Sequence, residues 1–148
     1  MAHVQQQIIE WFQTTLVGGS TAAGTSVFSD RLDPLTNDEL PAAVIGGGDE
    51  SVEPLTIGNE QLRSFEVNVA STVSQTAGYE AAARDLGLEV EKLLAAQPAT
   101  AGGLCSGGIS LTGSRLQKAG EGETAVAAVV QTWLCKYIVA AHAPDIPL

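Results

Sequence analysis

Histidine is almost missing from this 148-residue chain: only His3 and His142 are present, both near the termini. The usual nucleophile–base–acid constellations therefore have no candidate set. His142 beside Cys105 or Cys135 is the one pairing to weigh, and neither cysteine stands in a recognisable nucleophile setting. Cysteine is just as scarce. Two residues far apart in sequence fit no zinc spacing and make no disulfide framework, so buried free thiols in a reducing cytoplasm are the expectation. Basic side chains number 7 against 17 acids, a formal net charge of -10. That balance argues against nucleic-acid binding by phosphate neutralisation and against docking on anionic lipid. Its ordinary consequences are solubility and self-repulsion. Long apolar runs are lacking too. The longest, AVAAVV at 125–130, is far too short to span a bilayer, and the opening MAHVQQQIIEWF has neither the basic region nor the apolar core of a signal peptide. A soluble chain made in the cytoplasm is expected. Aromatics amount to 5%, and Trp11 and Trp133 read as core residues rather than ligand platforms.

What is present is an ordinary globular composition, 45% hydrophobic and 16% charged, at a length that suits one domain over residues 1–148. Val4, Ile8, Trp11, Phe12, Thr15 and Leu16 recur at helical spacing and stop at Gly18-Gly19. TSVFSDRL, with Val27 and Phe28, reads as a short strand. The acidic, proline-broken corner that follows carries Asp38 and Glu39 between Pro34 and Pro41, and AAVIGGG then reads as a second short strand. Residues 46–60 combine three consecutive glycines, a proline and acids. Two hairpin arms are conceivable there, but the composition favours a long mobile loop.

Residues 62–73 alternate, with Phe65, Val67, Val69 and Val73 pointing one way, as in a half-buried antiparallel strand. Residues 78–96 place Tyr79, Ala82, Ala83, Leu86, Val90, Leu93 and Leu94 on one helical stripe, weakened by Gly87 and ended by Pro98. LCSGGISLTGSRLQ, a turn at AGEGE, and TAVAAVVQTWLCKYIVAA give two further strands. The last is apolar on both faces over 125–130, as a central strand or a subunit contact would be. Residues 142–148 read as an extended tail. The sum is an α+β fold, a single domain with a mostly antiparallel sheet and helices packed on one face.

No motif for a cofactor or metal emerges. GGGDES fails the dinucleotide fingerprint at Ser51, and no phosphate-binding lysine follows a glycine loop. Asp49, Glu50 and Glu53 are near enough in sequence to gather a calcium ion, yet they lack the alternation of an EF-hand loop. A solvated acidic segment is the simpler reading, and no enzyme, metal or cofactor is expected.

The order of elements resembles that of the tail terminator proteins of long-tailed bacteriophages, the group represented by the lambda tail terminator. VFSDRLDPLTNDELPAAVIGGGDE carries most of the likeness: a strand ending in Phe, an Asp–Arg turn, an acidic corner and a Pro–Ala lead-in to the next strand. The elements after Gly48 continue the parallel over nearly the whole chain, while the few aromatics and the glycine-rich ATAGGLCSGG depart from it. The resemblance implies a non-catalytic virion protein of the head-proximal tail end. It would form a homo-oligomeric ring, typically a hexamer, that caps the tail tube, stops its polymerisation and offers the surface joined to the head–tail connector. DNA would pass the lumen without specific binding, and no membrane would be involved. On this reading Asp49, Glu50, Glu53 and Glu60 face a partner or the lumen. Two other readings stay open, a neck protein binding the portal side and a small α+β ligand-binding domain or enzyme.

Overall fold

The computed structural model describes residues 3–29, 31, 35–55, 58–74, 78–96, 98–119 and 126–148. Helix α1 (Val4–Gly18) is followed by strand β1 (Val27–Ser29), a 3-10 turn (Asn37–Glu39), β2 (Ala42–Pro54), β3 (Glu60–Ser74), α2 (Tyr79–Leu94), β4 (Ile109–Ala119), β5 (Val126–Ala140) and β6 (Ala143–Pro147). The strands form one sheet in the order β1-β2-β3-β5-β4, with β6 pairing the end of β5. Every pairing is antiparallel except β1 with β2. This is the α+β architecture that the alternation and the two helical stripes predict.

Both helices bury their stripes on one face of the sheet. Val4, Ile8, Phe12 and Leu16 of α1 and Ala83, Leu86, Val90 and Leu94 of α2 meet Phe65, Val67, Val69, Trp133 and Cys135 in one core. Period 3.6 on the helices and period 2 on β3 and β5 make those faces continuous. Gly87 has a packing reason. A Cβ there would lie 3.2 Å from Val129, and its carbonyl accepts a 2.9 Å bond from the buried Gln131 side chain. The glycine that lowers helix propensity thus lets α2 settle onto β5. β5 lies between β3 and β4, in keeping with its two apolar faces.

The loop expected over residues 46–60 is instead the arms of a hairpin. β2 runs on to Pro54 and β3 begins at Glu60, closed by a Leu55 N–H to Glu60 carbonyl bond of 2.9 Å. The glycines that suggest a loop serve close packing. A Cβ on Gly47 would stand 3.0 Å from the Phe65 ring and 3.4 Å from Ile9 of α1. Extended backbone with no side chain is what that corner of the core admits. The tail is likewise a strand over Ala143–Pro147. The AGEGE turn, the Asp33–Pro34 step and the QTA lead-in to α2 lie wholly or largely outside the described residues.

The acidic corner is a corner. Arg31 stacks on Phe28, 4.5 Å from the ring centroid, and its guanidinium grips the Glu39 carboxylate, with Nη2 at 2.6 Å from Oε1. Glu39 also accepts from the Thr36 backbone N–H at 3.0 Å. Arg31 first, then Thr36, holds the Glu39 carboxyl down at about 2 from an ordinary 4.5. A depressed carboxylate pKa stabilises the fold above the unfolded value, and that contribution disappears as pH falls through the folded one. The Thr36 amide resonance should therefore titrate with a midpoint near 2, and Glu39→Gln should abolish the transition. A midpoint near 4.5 would show that Arg31 does not hold the carboxylate in solution.

Candidate functional site

The four acids singled out by sequence all fall on the β2–β3 hairpin, and the structure separates them. Asp49, Glu53 and Glu60 are exposed. Glu50 is turned inward, its side chain 11% exposed. The cause is a β-bulge. Gly47 pairs with Val67, but Glu50 pairs with Phe65, so Gly48 and Asp49 together oppose Glu66. One extra residue shifts the alternation. In unbroken register Asp49 would face inward; with the bulge, Glu50 does.

Glu50 enters a polar cluster beneath the hairpin. Its Oε2 lies 3.3 Å from Arg63 Nη1, and its Oε1 accepts from the Tyr137 hydroxyl. Arg63 Nη2 donates to Gln61 Oε1 at 3.1 Å, while Arg63 Nε is buried with no partner among the described residues. Arg63 and Tyr137 are register partners on β3 and β5, so the cluster spans three adjacent strands. Burial first, then the Glu50 carboxylate, pushes the Tyr137 hydroxyl above its ordinary value of 10.0. A phenol held neutral beside a carboxylate is a donor, and this one clamps β2 to β5 across β3. Neither Arg63 nor Tyr137 stands out in the sequence as a site residue. The signal was an Arg in phase with Phe65, Val67 and Val69, since an inward cation on an apolar face calls for a buried acid.

The arrangement holds a shape and presents charge. Among the described residues, no group of three His, Cys, Asp or Glu side chains is gathered as a metal site. Cys105 and Cys135 are free and buried. A hydrogen bond that the Cys135 thiol donates to Cys105, then burial, raises Cys135 above the ordinary range, which suits an inert core thiol. Among the described residues no helix is long and apolar enough to cross a membrane. On the helix-free face, Leu35 of the corner and Val44, Ala70, Thr72 and Ala128 of the sheet line an open groove of about 340 Å³.

No family model matches the chain, and no curated protein matches its sequence. Among solved structures, a chain from "Virion of native gene transfer agent (GTA) particle" aligns over 91% of this chain and 91% of its own, at 16% identity and a TM-score of 0.45.

Proposed function

We propose that this chain is a structural, non-catalytic phage assembly protein, a tail terminator that closes as a ring on the completed tail tube and presents the surface joined to the head. The observation that carries the reading is the acidic hairpin. Its two arms lie within the sheet, β3 being paired along its whole length with β5, and it carries Asp49, Glu53 and Glu60 in solvent while Glu50, Arg63 and Tyr137 anchor it inside. A rigid, charged sheet edge whose interior is otherwise that of a core suits contact with other subunits. An acidic lumen would let DNA pass without adhering, because like charges repel. The tail terminator pattern in VFSDRLDPLTNDELPAAVIGGGDE, which folds into β1, the corner and the start of β2, supports the same reading.

The test is tube growth. Added in slight excess over tube ends, the protein should arrest polymerisation of the cognate tail tube subunits and appear at one end only in electron micrographs. Unchanged tube lengths, with the protein bound to portal complexes instead, would replace this reading with that of a neck protein.

A further inference from the structure

Both lateral edges of the sheet are open over long stretches. β1 covers only Ala43–Ile45 of β2, so Gly46–Pro54 has no outer partner strand among the described residues, and β4 has none along Ile109–Ala119. Open edges are templates for another chain. Here they differ in charge. The open part of β2 carries Asp49 and Glu53 in solvent and no cation, whereas β4 carries Arg115 and Lys118 and no acid. Lys118 is exposed but ion-paired with Glu80 of α2, which leaves Arg115 as the exposed charge of that edge with no ion pair among the described residues.

We infer that the open edge of β2 in one copy docks against β4 of a second copy, head to tail. The inference rests on the ring reading and names its contact. Two β2 edges would set acid against acid, and two β4 edges would set Arg115 against Arg115, so a two-fold dimer through either edge is disfavoured. The unlike edges attract. Direction agrees as well: along β2-β3-β5-β4 each strand opposes its neighbour, so β2 and β4 run oppositely. A copy added by rotation therefore brings its β2 antiparallel to the first copy's β4. Bare backbone at Gly46–Gly48 permits close approach. The two edges are also offset. Gly46–Pro54 lies level with residues 132–139 of β5, and β4 lies level with 126–135. Each joint therefore steps along the strands, as closure of a tilted-strand ring requires.

Charge reversal tests the contact by sedimentation at fixed protein concentration. Arg115→Glu alone and Glu53→Arg alone should each weaken association about fivefold per interface. The double reversal should recover most of it, because the edges stay complementary. A second measurement does not depend on those variants assembling: a mixture of Glu53→Cys and Arg115→Cys proteins should form disulfide dimers that neither forms alone. Wild-type assemblies that ignore both reversals, or single-cysteine samples that cross-link as well as the mixture, would overturn the edge contact and leave the ring. A wild-type chain that stays monomeric at every concentration and on tube ends would overturn both.

Discussion

Trp133→Ala should cost about 3–5 kcal/mol of folding stability and lower the melting temperature by roughly 10 °C. The indole is 1% exposed at the centre of β5, packed in the core that both helices cover. Removing it leaves a cavity that α2 cannot collapse into, because Gly87 already lies against Val129. It also removes the Nε1 donor, 3.4 Å from Gln131 Oε1, beside the bond that ties Gln131 to the Gly87 carbonyl. Chemical denaturation measures the loss. Near-wild-type stability would mean that the indole serves a surface between subunits.

Glu50→Ala should cost about 2–4 kcal/mol, although acidic residues on strands are usually replaceable. The loss comes from what remains: Arg63, 16% exposed, keeps its charge without a counterion, and the Tyr137 hydroxyl loses its acceptor. Replacing the whole cluster with apolar residues, Glu50→Leu with Arg63→Met and Tyr137→Phe, should cost less than the single truncation, since no buried charge is stranded. The reverse order would show that the cluster is solvated. Exposed Asp49→Ala, one residue away, is the control and should shift stability by less than about 0.5 kcal/mol. Alkaline pH probes the same bond. The Tyr137 pKa is raised by folding, so above pH 10.0 the folded state keeps a proton that the unfolded state releases, and stability falls as pH rises.

Those two side chains mark where the sequence was readable. Trp133 was legible as core because β5 alternates and its neighbours are apolar. The same periodicity set the bounds of α1, β3 and α2 close to where they lie. Glu50 was legible only as one acid among four. Which acid turns inward depends on a bulge against β3 and on a Tyr 87 residues away, and neither leaves a local trace. Composition misled at GGGDESVEP for a related reason. Glycine and acids signal a loop when the only alternatives are solvent and chain entropy, but here the strand is specified by Phe65 and Ile9 from elsewhere in the chain. β6 was hidden by its prolines and by a length of five residues. β1 was found, while its parallel pairing with β2 is a matter of topology that no window of residues encodes.

The three consecutive glycines at the start of the hairpin look interchangeable in print, and the fold makes them unequal in history. Nothing lies within 4 Å of a Cβ on Gly46, whereas one on Gly47 meets the Phe65 ring and one on Gly48 meets the Glu66 side chain at 3.2 Å. A lineage carrying this fold is free to drift at 46. At 47 it can change only in step with Phe65 or Ile9, so the record of descent at that position should be a paired one.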